Sequence, residues 1–278
     1  MRLDVLCEGF GYVESPRWHD DRLWFSDFDH RRVRSIAIDG SLVSDVEVPD
    51  APSGLAFVGD EMIAAGMRSQ QLLAISPTGQ VRTWSDLKNI AVGHLNDMVL
   101  SDTTLYVGCF GYDLSARERP RPGPLLAVST DGRSTIVACP DVMFANGMAA
   151  TPDGHLLVAE TPRRVITRFR IGEGGELVER RIFADVGPAR QPDGICLDAE
   201  GGVWFGSPFT SEFVRVDAAG SVTHVVPTPG RWAVACALGG PSGDSLFALT
   251  AETDMDRFSK GTSSGRVEVA TAPVPKGI

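Results

Sequence analysis

The sequence predicts an all-β fold: a single six-bladed β-propeller of four-stranded blades spanning residues 1–278. Three observations predict it. A degenerate unit recurs six times along the chain. Each unit holds short runs rich in β-branched and aromatic residues, split by turn dipeptides such as D-G and G-G. No long segment carries a 3.6-residue apolar period, so helix content should be low.

The units can be taken in order. "SPRWHDDRLWFSDFDHRRVRSIAIDGSLV" has an apolar opening, a polar turn, "RLWFSD", a second polar turn and "VRSIAIDG". "PSGLAFVGDEMIAAGMRSQQLLAISPTGQV" repeats that layout. The third unit opens on "LNDMVLSDTTLYVGCFG" and resumes at "GPLLAVSTDGRSTIV". The polar, Pro-rich insertion 111–124 between them is expected to be a surface loop. "NGMAATPDGHLLVAETPRRVITRFRI" and "PDGICLDAEGGVWFGSPFTSEFVRVDAAGSV" follow. The sixth unit is "ACALGGPSGDSLFALTAE", resuming at "SGRVEVA". The units open near positions 14, 53, 96, 146, 193 and 235. A period from the high thirties to about fifty residues is that of a four-stranded propeller blade. One such sheet cannot bury both faces alone, so the copies must stack about an axis. The N-terminal "RLDVLCEG" is expected to complete the last blade beside "GRVEVA" and so protect both edges.

Composition narrows the function classes. The formal charge is −10, and an acidic chain repels phosphate backbones, which argues against nucleic acid as a partner. No window reaches the roughly 18 apolar residues of a membrane helix, and the first residues lack a secretory pattern. The five cysteines (7, 109, 139, 196 and 236) show no CxxC spacing, against a disulfide framework or a zinc-thiolate site. A cytoplasmic protein with no membrane partner is expected, and the sequence carries no signal for its oligomeric state.

The residues that open the units carry the chemistry. They are Glu14, Ser53-Gly54, Asn96-Asp97, Asn146-Gly147, Asp193-Gly194 and Ala235-Cys236. Asn-Gly and Asp-Gly are ordinary turn formers. Here, however, carboxylates and carboxamides fall at one phase of the repeat, while the other turns ("PTGQ", "STDG", "TPDG", "DAAG") fall at another. Rotation about the axis would gather Glu14, Asn96, Asn146 and Asp193 at one mouth of the channel. Such an oxygen-only set suits one divalent cation: Ca²⁺ first, with Zn²⁺, Mg²⁺ or Mn²⁺ as alternatives.

The segments "VESPRW", "LNDMVL", "FANGMAATPDGHLLVAET", "QPDGICLDAEGGVWFG" and "ACALGGPSGDSLF" resemble the SMP-30/gluconolactonase/luciferin-regenerating-enzyme family. The resemblance implies a six-bladed propeller with one divalent cation in its channel. It implies metal ligation by Glu14, Asn146 and Asp193, with Asn96 as a fourth ligand or a substrate contact. Two departures stand out. Ser15 replaces the Gly of the family's Glu-Gly-Pro, and His94 stands where sugar-lactone members resemble one another in an Arg. The second argues against a hydroxyl-rich sugar substrate. Met98 brings apolar bulk to the mouth, as would Phe110, Tyr112 and Trp232 if their loops face it.

The expected activity is metal-dependent lactone hydrolysis on a small lactone or ester substrate. A cation polarises the ester carbonyl and stabilises the oxyanion. Asp193 is the first choice for the base that takes a proton from water, and Asp97 the second. Asn96 and His94 would orient the substrate, with Asp97 and Met98 beside it. Phosphotriester or aryl-ester hydrolysis on the same site, or a calcium-binding propeller without turnover, are the alternatives. Asp27 and Glu160 end second strands and read as partners of Arg or backbone amides. No G-x-S-x-G or P-loop is present.

Overall fold

The computed structural model describes residues 1–113, 116 and 118–277. These form six four-stranded antiparallel sheets. In blades 1 to 5 the strands follow one another outward from the axis. The innermost strands are Val13–His19, Pro52–Val58, Leu95–Ser101, Ala145–Thr151, Ile195–Leu197 and Trp232–Gly239. Each packs against the inner strands of the blades before and after it, and the sixth packs against the first. The sheets therefore close into a six-bladed ring.

Closure follows the sequence expectation. The N-terminal strand Asp4–Phe10 pairs antiparallel with Ser264–Thr271, setting Cys7 opposite Val267, and is the outermost strand of blade 6. Chain ends thus meet in one sheet, and neither strand presents a bare edge to the other's side.

The core lies between blades. Leu23, Phe25 and Ile36 of blade 1 pack on Phe247, Leu249 and Val267 of blade 6, all fully buried. Ile63 and Leu72 of blade 2 meet Leu105, Val107 and Leu126 of blade 3 in the same way. Each such side chain contributes about 1.5–3 kcal/mol by leaving water, so every blade depends on both neighbours.

Among the described residues the one α-helix is α1 (Met255–Lys260), too short to cross a membrane. Asp254 caps it by accepting from the amides of Asp256 and Arg257, and Gly261 ends it at φ +65°. Of the expected surface loop 111–124, Leu114, Ser115 and Arg117 lie outside the described residues. Residues 118–122 are exposed, and Gly123 already begins the strand Gly123–Ser129.

Candidate metal centre and active-site cup

Five inner strands share a local irregularity. Their register against the second strand slips between Glu14 and Arg17, Pro52 and Leu55, Leu95 and Met98, Ala145 and Met148, and Ala233 and Ala235. A bulge bends a strand and re-aims its side chains. It falls at the phase where Glu14, Asn96 and Asn146 stand. In blade 5 the inner strand begins later, and Asp193 is held by its amide, which donates to the Gly206 carbonyl at 2.9 Å.

The glycines that follow Asn146 and Asp193 make room for the neighbouring blade. A Cβ on Gly147 would sit 2.4 Å from the Ile195 nitrogen, and one on Gly194 would sit 2.3 Å from Ala235 Cβ. They let the next blade's backbone approach, which brings the inner strands close enough for their opening residues to meet.

Glu14, Asn96, Asn146 and Asp193 all line one cavity of about 220 Å³ at one mouth of the channel. Asn146 Nδ2 donates to Asp193 Oδ1 and to Thr161 Oγ1 (3.1 Å), and the Thr161 hydroxyl donates to the Pro192 carbonyl (2.7 Å). Asn96 Nδ2 donates to the Ala145 carbonyl at 3.0 Å. Both amide nitrogens are thus used by the protein. Among the described residues neither Oδ1 receives a donor, and Oδ1 is the atom with which a carboxamide binds a hard cation.

The electrostatics point the same way. Burial pushes the Glu14 carboxyl well above its ordinary value, and the charges of Asp193, Asp97 and Asp29 add to the rise. Burial likewise pushes Asp193 up to about 7, opposed by the Asn146 amide and reinforced by Asp97. The Tyr12 phenol is raised by burial and by Asp193, Glu14 and Asp29. Among the described residues lining the cup there is no Lys, Arg or His. No group of three His, Cys, Asp or Glu side chains forms a metal cluster among the described residues. The candidate set instead holds two carboxylates, and its remaining donors are amides. Two acids packed together without a countercharge, beside two carboxamide oxygens, fit a divalent cation.

Other expected site residues lie elsewhere. Asp97 does not line the cup. Its Oδ1 accepts from Ser15 Oγ (2.7 Å), Arg17 Nη2 (2.8 Å) and the Met98 amide (2.8 Å). Successive strand residues face opposite sides, so Asn96 and Asp97 part company. The Met98 side chain is fully buried in the core between blades 2 and 3 and adds no bulk to the mouth. His94 stands behind the wall: its Nε2 lies 3.3 Å from Asp113 Oδ1 and its ring meets Phe110 edge-on at 5.7 Å. Phe110, Tyr112 and Trp232 do line the cup. Sequence reasoning missed Tyr12, Phe28, Phe144, Thr161 and Phe258, which also line it. The Asp254 and Gly261 caps were the available signal for the helix that carries Phe258.

Asp27 and Glu160 have the structural partners expected of them. Asp27 accepts from the Gly11 amide and pairs with Arg34, while Glu160 pairs with Arg163 and Arg180.

Comparison with known proteins agrees with this architecture. The profile of the SMP-30/Gluconolactonase/LRE-like region matches residues 12–252. The chain belongs to the SMP-30/gluconolactonase/LRE-like family. One relative is the 6-deoxy-6-sulfogluconolactonase of Pseudomonas putida, 30% identical over a match that covers 45% of this chain and 44% of that protein. The chain thus spans less than half the length of that relative. The pentonolactonase of Haloferax volcanii is 25% identical over 95% of this chain and 92% of its own. The calcium-binding protein regucalcin of Agrobacterium tumefaciens has the same fold, with a TM-score of 0.78, 20% identity, and coverage of 99% of this chain and 96% of its own.

Family membership makes Ser15 intelligible. Its φ is +52°, in the left-handed region that favours the Gly of the family's Glu-Gly-Pro. Ser15 keeps that conformation and uses its hydroxyl, which accepts from the Leu55 amide at 2.9 Å and donates to Asp97. In this family member the residue after Glu14 ties blade 1 to blades 2 and 3.

Proposed function

We propose that this chain is a metal-dependent lactonase of the cytoplasm. The observation that carries the reading is the buried, uncompensated oxygen set of Glu14, Asn96, Asn146 and Asp193 at the floor of a cup. The lactonase names of relatives support the reaction class, and the calcium-binding fold neighbour supports the choice of Ca²⁺. Five free cysteines suit a reducing compartment.

Glu14, Asn146, Asp193 and Asn96 would hold the cation, which when bound polarises the ester carbonyl and stabilises the oxyanion. The remaining work belongs to the chain. Asp193 takes a proton from the attacking water as the water oxygen bonds to the acyl carbon. Asn146 fixes one oxygen of that carboxylate, leaving the other to accept the proton. Asn96 orients the lactone beside it. The ring C–O bond then breaks, and the leaving alkoxide recovers the proton, giving the open hydroxy acid. Aromatic walls limit access of bulk water.

The test is a lactone and ester panel assayed after chelation and after return of Ca²⁺, Mg²⁺, Mn²⁺ or Zn²⁺. Turnover should need the cation. Asp193→Ala should lose about 10²–10⁴-fold in kcat with unchanged circular dichroism. Lactone turnover that survives in the folded variant rules out the central-metal mechanism. Cation binding without turnover on any lactone or ester favours the non-enzymatic reading.

A further inference from the structure

Resting on the lactonase reading, we propose that the preferred substrate is an uncharged lactone bearing an aromatic or branched alkyl substituent, not a polyhydroxylated or anionic sugar lactone.

The cup is divided sharply between floor and wall. Its oxygen donors are concentrated on the inner strands. The wall above them is aromatic. On one side Phe110 and Phe144 have ring centres 4.2 Å apart, with Tyr112 5.9 Å from Phe144. On the other, Tyr12 meets Phe258 at 4.8 Å, Phe258 stacks on Phe28 at 6.0 Å, and Trp232 lies 6.1 Å from Phe258. Phe209 (52% exposed) and Met255 (55% exposed) extend this surface at the rim. An apolar substituent that covers them gains by removing that surface from water.

Polyol recognition needs the opposite wall. Each sugar hydroxyl that leaves water needs a partner, and one left unpaired is costly. Beyond the cation set the polar lining is sparse. The Thr161 hydroxyl is already committed to the Pro192 carbonyl and Asn146, which leaves the Gln191 amide, the Trp232 N–H and the Tyr12 and Tyr112 hydroxyls, set among aromatic rings, to serve a polyol. With the charges of Glu14 and Asp193 balanced by the cation they would hold, an anionic substituent finds no Lys, Arg or His partner among the described lining residues.

An independent observation indicates that the aromatic wall is built deliberately. Phe144 has φ +51°, a conformation rare for a bulky side chain and tolerated where the surroundings hold it. The neighbouring Met143 amide is anchored on the buried Glu160 carboxylate at 3.0 Å. This turn sets the Phe144 ring against Phe110, two residues before Asn146.

The experiment uses the full chain loaded with Ca²⁺. It compares kcat/KM for a phenyl-substituted γ-butyrolactone, unsubstituted γ-butyrolactone, glucono-δ-lactone and a carboxylate-bearing lactone. The phenyl lactone should exceed the polyol and the anionic lactone by at least about 10-fold. Phe144→Gly relieves the backbone at φ +51° and removes the ring, so it should fold. It should lower the phenyl lactone by about 10-fold and the unsubstituted lactone by less than about 3-fold. Preference for the polyol or anionic lactone overturns the proposal, as does an equal loss on both butyrolactones in Phe144→Gly. If no lactone is opened, the lactonase reading fails by itself. Calorimetric binding of a phenyl-substituted lactam against a polyhydroxylated lactam then decides the cup's selectivity. Tighter phenyl binding upholds it, and equal or weaker binding overturns it.

Discussion

Replacing Asp193 by Asn should flatten the pH dependence of stability in the metal-stripped protein. Burial raises the folded carboxyl from 3.8 to about 7, with Asp97 adding to the rise and the Asn146 amide opposing it. A folded acid that holds its proton more tightly than the unfolded chain stabilises the fold at low pH. That contribution is fully present below 3.8 and is lost as pH rises to about 7. At about 1.4 kcal/mol per pH unit, the loss between pH 5 and 8 is about 2.5 kcal/mol. The carboxylate keeps an opening to the cup, and water there trims the figure to on the order of 2 kcal/mol. The assay is urea unfolding after chelation at the two pH values. Wild type should lose on the order of 2 kcal/mol more than Asp193→Asn. Asn at this position still offers an oxygen to Asn146, so the difference reports Asp193 together with the part of the Glu14 rise that its charge causes. Saturating Ca²⁺ should erase the wild-type excess, because the cation replaces the proton. Parallel profiles for the two metal-free proteins would refute the reasoning.

Two further substitutions test the supports of the site. Ser15→Ala removes a buried hydroxyl that serves Asp97 and the Leu55 amide, and should cost about 2 kcal/mol in urea unfolding. Ser15→Gly loses the same bonds but suits φ +52°, so it should be more stable than the Ala variant by about 1 kcal/mol; the reverse order contradicts this account. Glu160→Gln should cost about 2 kcal/mol at pH 7, because it removes the buried acid that pairs with Arg163 (3.1 Å) and leaves Arg180 only the exposed Asp141 (3.4 Å). Burial raises the Glu160 carboxyl, but Thr167, the Met143 amide and Arg180 outweigh it and hold it below the ordinary range. Its stabilisation is therefore present above the ordinary carboxylate value and lost as pH falls through the lowered one. The gap between wild type and variant in thermal melts should narrow in acid, and equal melting at pH 7 would show that the cluster does not stabilise the fold.

The sequence by itself determined the blade count, the closing role of the N-terminal strand, and the phase at which oxygen-bearing residues recur. These are local properties: strand runs, turn dipeptides and their spacing are written within each unit of some forty residues. Neighbouring positions already divide differently. Asn96 and Asp97 are adjacent in sequence and similar in chemistry, yet one lines the cup and the other is locked by Ser15 and Arg17. A bulge fixes which of the two faces the axis, and its exact register comes from pairing with the second strand. The aromatic wall was less legible still. Tyr12 and Phe144 each stand two residues before a site residue, Glu14 and Asn146, but Phe258 lies on the helix of another blade, and each alone reads as an ordinary core residue. Only closure of the ring brings them to one mouth. The repeat thus set which residues could hold a cation, and the long-range packing of blades decided what kind of molecule can approach it.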